Sequence, residues 1–178
     1  MNVRNPSLWP AFTAAACLLA TTPTKAEEPA TCPIGAYRLE GGQIVDVGPS
    51  DGGLRWRRLD GSTGKLTAAS DGWRSAYGWT SRPDGIQVAF GACASGAIDF
   101  AGTPGHRMAL PTYETTFVSH GVRLAGRLVL PPGKERVPIV VLLQGSESIS
   151  GREFDSLQRL FPAGGVGAFV YDKRGTGG

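Results

Sequence analysis

Closely spaced turn signals constrain the first half of this chain more than any other feature. Asp-Gly pairs, which favour the tight turns of β-hairpins, follow one another at intervals of 9, 11 and 13 residues. These pairs are Asp51-Gly52, Asp60-Gly61, Asp71-Gly72 and Asp84-Gly85. The segments between them are short and rich in aromatic and β-branched residues, as half-buried antiparallel strands are. Residues 27–112 are therefore predicted to form a small β-rich domain.

The pattern changes in the second half, residues 113–178. A hairpin is predicted around His120-Gly121, and the near-continuous apolar run at 137–143 is typical of a strand buried on both faces. Ser150 and Glu153 form a capping-box pattern, which predicts a helix starting there. A second apolar run at 166–171 follows. Strand, helix and strand in this order predict a right-handed βαβ unit with parallel strands.

Two motifs in this second half resemble the front of an α/β-hydrolase core. One is the apolar strand that ends at Gln144-Gly145-Ser146, and the other is the later strand followed by Asp172-Lys173-Arg174-Gly175-Thr176-Gly177. The narrower resemblance is to exported serine hydrolases of the prolyl-oligopeptidase and serine-aminopeptidase type. It covers residues 113–178 and implies an α/β fold class, in which the start of a hydrolase core follows the β-rich domain. The activity it implies is hydrolysis of an ester, thioester or peptide bond.

The same resemblance makes Gly145 and Ser146 candidates for the oxyanion loop, whose backbone amide stabilises negative charge on the attacked carbonyl oxygen. Gln144 stands where the family has His. The alternative for Gly145 and Ser146 is a plain turn that leads to a capped helix. No Ser beyond the signal segment has the Gly-x-Ser-x-Gly pattern, so the nucleophile, acid and base are expected outside this chain. The resemblance thus implies an inactive N-terminal part of an enzyme whose complete form would take a small-molecule or peptide acyl substrate.

A second hypothesis is a secreted β-rich binding module without catalytic activity. Tryptophans on its surface would favour carbohydrate binding. Trp56, Trp73 and Trp79 are instead predicted to fill the core of the β-rich domain.

The N-terminus predicts export. Arg4, an apolar stretch and small residues up to Ala26 are typical of a cleavable secretory signal at residues 1–26. The apolar stretch is shorter than the ~20 residues of a spanning helix, so no stable membrane span is expected after cleavage. The mature protein would then be periplasmic or extracellular. Cys32 and Cys93 would remain after cleavage, and a Cys32–Cys93 disulfide is predicted, with two buried thiols as the alternative.

Charge and ligand spacing argue against several other classes of function. Lys and Arg total 18 against 15 Asp and Glu, a net charge of +3, which falls short of the basic excess typical of nucleic-acid binding. The two His, His106 and His120, do not stand at ligand spacing from a Cys, so no metal site is expected. No cofactor is expected either, since the glycines match neither a dinucleotide fingerprint nor a P-loop.

Overall fold

The structure is a computed structural model that describes residues 31–50, 53–133, 136–146 and 148–177. The predicted signal segment and the pair Asp51-Gly52 lie outside these residues. Eight antiparallel strands, each hydrogen bonded to the next and the last to the first, close a barrel. The strands are β1 (Gly35–Leu39), β2 (Ile44–Ser50), β3 (Gly53–Arg57), β4 (Thr63–Ala69), β5 (Gly72–Tyr77), β6 (Pro83–Phe90), β7 (Ala97–Phe100) and β8 (Thr103–Arg107).

Alternate side chains of these strands point inward and fill the middle of the barrel. An eight-stranded barrel has an interior just wide enough to be filled by side chains or to hold one small ligand. The buried core consists of Tyr37, Leu39, Val45, Val47, Leu54, Trp56, Leu66, Val88, Ile98 and Phe100. Ring packing is specific here, because Trp56 meets Phe100 edge-on with ring centroids 5.3 Å apart.

The remaining residues form a four-stranded sheet with two short helices. Its strands are β9 (Thr112–Ser119), β10 (Val122–Val129), β11 (Ile139–Leu142) and β12 (Gly167–Tyr171), in the order β11-β12-β10-β9. The helices α1 (Gly151–Phe154) and α2 (Leu157–Ala163) lie between β11 and β12 in the chain. The predicted hairpin at His120-Gly121 joins β9 to β10, and both turn residues have positive φ.

The predicted α/β class is wrong. Of the residues that the structure describes, 51% are in strands and 7% in helices, and eight of the strands form a closed antiparallel barrel. Among the described strands, parallel pairing is confined to β11 and β12, while β9 and β10 pair antiparallel within the same sheet. The helix predicted from Ser150 is interrupted, because Asp155 has extended backbone between α1 and α2. The Ser150 hydroxyl does not cap α1; it donates a hydrogen bond to Asp172 instead.

A buried ion pair fastens α2 to the outer wall of the barrel. Asp46 of β2 is 0% exposed and accepts hydrogen bonds from Nε and Nη2 of Arg159, at 2.5 and 2.9 Å. The guanidinium lies across Gly48, where a Cβ would stand 2.7 Å from Arg159 Nη2. Burial raises the pKa of Asp46, and Arg159 opposes that effect. The Asp46–Arg159 ion pair therefore joins the barrel to α2. Breaking it would leave a buried charge without its partner, which is unfavourable.

A second polar network connects the four-stranded sheet to α1. Asp172, which follows β12, accepts hydrogen bonds from Ser150 Oγ and Arg152 Nε, both at 2.8 Å. Glu114 of β9 accepts from Arg127 Nε at 2.5 Å and from Arg152 Nη1 at 3.1 Å. Burial alone would raise the pKa of both carboxyls, but the arginine partners outweigh it and hold each pKa below its usual value.

This network predicts acid sensitivity. A carboxyl whose pKa is depressed by folding adds stability above its unfolded pKa and loses it as the pH falls through the folded value. For Asp172 the ordinary value is 3.8, so the free energy of unfolding should decline as the pH falls below about 4. Asp172→Asn should make that decline shallower in denaturant titrations at several pH values. A decline as steep in Asp172→Asn as in the unaltered protein would contradict this account.

Candidate ligand-binding site

A cavity of about 760 Å³ opens at one end of the barrel. This end carries the residues before β1 and the connections β2–β3, β4–β5 and β6–β7, and we call it the disulfide end. The lining is mostly apolar and consists of Thr31, Cys32, Pro33, Ile34, Pro49, Gly53, Leu54, Asp71, Gly72, Trp73, Ala89 and Phe90. Ligand sites of small molecules are typically apolar concavities of ~300–1,000 Å³, so both size and lining agree with such a site.

Two aromatic side chains form one wall of the cavity. Trp73 of β5 and Phe90 of β6 pack edge to face with centroids 6.1 Å apart, and both are only partly buried. Their strands approach closely because the β4–β5 turn ends at Gly72, whose φ is +134°. A Cβ at Gly72 would stand 2.9 Å from the carbonyl oxygen of Val88. Glycine there permits the strand contact that brings the indole of Trp73 beside the ring of Phe90.

The predicted disulfide is confirmed and lies at the rim of this cavity. Cys32 and Cys93 are 61 residues apart in sequence, with Cα atoms 5.5 Å apart. The bond ties the segment before β1 to the β6–β7 connection. Both of these segments belong to the disulfide end, so the bond holds two parts of the rim together.

An arginine that faces the barrel interior holds the same segment through hydrogen bonds. Arg107 of β8 is paired in register with Tyr37 of β1, and its Nη2 donates to the Tyr37 hydroxyl at 3.1 Å and to the carbonyl oxygen of Cys32. The Tyr37 hydroxyl in turn donates to the Pro33 carbonyl at 2.8 Å. Burial raises the pKa of Tyr37, which keeps the hydroxyl protonated as a donor. These bonds hold the Cys32-Pro33 backbone, which lines the cavity, in a fixed position.

The cavity carries little charge of its own. Asp71 is the one charged residue among its described lining residues, and Arg74 Nη2 neutralises it at 2.6 Å. Both side chains of this pair are more than half exposed, which places their charges at the solvent edge. The arrangement therefore suits an uncharged, mainly apolar molecule.

The residues predicted as an oxyanion loop lie elsewhere. Gly145 and Ser146 follow β11 in the second sheet, and neither lines the cavity. The carbonyl oxygen of Gly145 accepts a hydrogen bond from Lys173 Nζ at 2.6 Å, and Gln144 Nε2 donates to the Ile149 carbonyl at 2.9 Å. These contacts stabilise the loop.

The three tryptophans of the barrel have different environments. Trp56 is a core residue, as predicted, and its Nε1 donates to Ser75 Oγ at 2.7 Å. Trp73 packs against the core but also lines the cavity. The prediction was wrong for Trp79, which is 75% exposed and covers the guanidinium of Arg55 at 3.7 Å from the ring centroid. Trp56 and Trp73 lie on strands, whereas Trp79 lies in the connection between β5 and β6. The spacing of the tryptophans in the sequence does not reveal this difference.

Comparison with known proteins found no match to a family model, a curated protein or a solved structure. Together with the closed antiparallel barrel, this overturns the resemblance to α/β-hydrolases and the serine-hydrolase activity that it implied. Fold and cavity define instead a disulfide-bonded β-barrel with a ligand-sized opening. The alternative hypothesis of a β-rich binding module agrees better with this architecture.

The disulfide bears on where the protein resides. It is consistent with an exported protein, because such bonds persist in oxidising compartments. Within the described ranges, no helix has the length and apolar character required to cross a membrane.

Proposed function

We propose that this chain is an exported binding module that holds a small, uncharged, mainly apolar ligand at the disulfide end of its barrel. The observation that carries the proposal is the cavity of about 760 Å³ between Trp73, Phe90, Leu54 and Ile34. An apolar ligand would remove the exposed parts of these side chains from water, at ~25 cal/mol per Å² of apolar surface buried. The role assigned to the barrel is binding, without catalysis.

The rigidity of the rim supports the same proposal. The Cys32–Cys93 bond and the Arg107–Tyr37 contacts hold the Cys32-Pro33 segment before any ligand arrives. A site that is ordered in advance loses less conformational entropy when it binds. With the Asp71–Arg74 pair neutral at the edge, the described lining residues carry no uncompensated charge. Selectivity is therefore expected to follow shape and apolar area.

Two tryptophan variants test the proposal with the uncharged fluorophore N-phenyl-1-naphthylamine as probe. Trp73→Ala removes one aromatic wall of the cavity, so the affinity of the oxidised protein for the probe should fall about tenfold. Trp79→Ala removes an equally large side chain that lies outside the cavity, and it should leave the affinity unchanged. Fluorescence titration measures both. Equal effects of the two variants, or no binding by the unaltered protein, would contradict the proposal.

A further inference from the structure

A second cavity, of about 500 Å³, opens at the end of the barrel opposite the disulfide end. It lies between the β3–β4 and β5–β6 connections, and it shares no described lining residue with the first cavity. Its lining includes the apolar side chains of Trp56, Tyr77 and Ile86 and two opposite charges, Arg82 and Asp84. We call this space the Arg82–Asp84 cavity. Its volume is typical of a site for a small molecule.

Asp84 is held on the inner side of this cavity by hydrogen bonds that start in the core. Trp56 Nε1 donates to Ser75 Oγ, and Ser75 Oγ donates to Asp84 Oδ2, both at 2.7 Å. The amide of Ile86 donates to Asp84 Oδ1 at 2.9 Å. The Trp56–Ser75 bond is buried, whereas the two bonds to Asp84 are only partly buried. A carboxylate accepts about four hydrogen bonds, so Asp84 retains capacity for a ligand.

Arg82 supplies the positive charge at the rim of the cavity. Its side chain is exposed, and its guanidinium carbon is 5.2 Å from the ring centroid of Tyr77, which is itself 59% exposed. Arg82 and Asp84 are two residues apart where β6 begins. Alternate residues of an extended chain lie on the same side, about 7 Å apart, and both of these residues line the cavity.

The two charges do not neutralise each other directly. Arg82 and Asp84 take part in none of the ion pairs within the described part of the chain. A ligand with a single positive charge would be repelled by Arg82, and one with a single negative charge by Asp84. A ligand that carries both charges satisfies both residues. Its ammonium group would donate to the carboxylate, and its carboxylate would accept from the planar donor fork of the guanidinium.

We infer that the Arg82–Asp84 cavity binds a zwitterionic α-amino acid with an apolar side chain. Asp84 binds the ammonium group and Arg82 binds the carboxylate. Trp56, Tyr77 and Ile86 contact the apolar side chain of the ligand. The site lies apart from the proposed apolar site at the disulfide end, and it adds a second class of ligand to the protein.

L-Phenylalanine is the probe, and two compounds that each lack one of its charges serve for comparison. Phenethylamine keeps the ammonium group without the carboxylate, and 3-phenylpropanoate keeps the carboxylate without the ammonium group. Isothermal titration of the oxidised protein should show that each binds at least about tenfold more weakly than L-phenylalanine.

Two variants assign the charges of the ligand to their partners. Arg82→Gln should weaken L-phenylalanine about tenfold and remove its advantage over phenethylamine, while Asp84→Asn should remove its advantage over 3-phenylpropanoate. Arg82 is exposed, so its replacement should not affect folding. Arg123→Gln, at an exposed position on β10, is the matched control and should leave all three affinities unchanged.

Indole NMR shows which cavity is occupied. Saturation with L-phenylalanine should shift the Nε1–H signal of Trp56, which lines the Arg82–Asp84 cavity, and should leave that of Trp73 in place. The inference is overturned if L-phenylalanine does not bind or binds no more tightly than either comparison compound. It is also overturned if Arg82→Gln has no more effect than Arg123→Gln, or if the shift occurs at Trp73 instead. Failure of the uncharged fluorophore to bind would refute only the proposed apolar site.

Discussion

Replacement of Asp46 by Ala should destabilise the protein by about 3–5 kcal/mol, one of the two largest single effects expected here. The substitution leaves the Arg159 guanidinium buried between α2 and the barrel without its two charged hydrogen bonds. Removing one partner of a buried ion pair costs more than the pair itself contributes, because the remaining charge stays desolvated. Urea unfolding followed by tryptophan fluorescence measures the loss.

Two comparisons make this result specific. Asp71→Ala breaks an ion pair whose side chains are 51% and 59% exposed, and it should cost about 1 kcal/mol or less. The double variant Asp46→Leu with Arg159→Met replaces both charges by apolar groups and should recover much of the lost stability. If Asp46→Ala costs no more than Asp71→Ala, the ion pair does not join the two parts of the molecule as described.

Loss of the disulfide is the second large effect. The bond closes a loop between residues 61 positions apart, for which the chain-entropy model gives a stabilisation of about 4 kcal/mol. Cys32→Ser combined with Cys93→Ser should therefore lower the free energy of unfolding by about that amount in urea titrations. The variant should also bind the uncharged fluorophore more weakly, since the rim of the cavity is no longer held.

Reduction provides the matched control for this variant. Dithiothreitol should bring the unaltered protein down to the stability of the double variant, and it should not affect the double variant itself. A double variant as stable as the oxidised protein, with unchanged fluorophore affinity, would show that the bond contributes neither to folding nor to the rim.

Local features of the fold were accessible from the sequence. Asp-Gly turns and the residues between them predicted antiparallel strands in residues 27–112, and Cys32 and Cys93, which remain after cleavage of the predicted signal segment, were predicted as partners. Closure of the barrel was not accessible, because it depends on β1 pairing with β8, for example Leu39 with Gly105. No local periodicity encodes a contact across that length of chain. The cavity follows from closure, so it was missed as well.

The hydrolase resemblance failed because short motifs also have structural uses. Asp172 was read as part of a family motif that also includes Arg174. In the structure, Asp172 binds Arg152 and the hydroxyl of Ser150. Likewise Ser150 and Glu153 matched a capping box, but the Ser150 side chain was used for this buried contact instead. A motif's local pattern does not specify which distant residue completes it.

The central claim is that the disulfide end of the barrel is a ligand site, and indole NMR tests it most directly. In the oxidised protein, saturation with N-phenyl-1-naphthylamine should shift the Nε1–H signal of Trp73, which lines the cavity. The signal of Trp79 should stay in place, because that side chain does not line the cavity at the disulfide end. Trp56, hydrogen bonded to Ser75 in the core, should also be unaffected. A shift at Trp79 with none at Trp73, or no shift at any indole, would contradict the account.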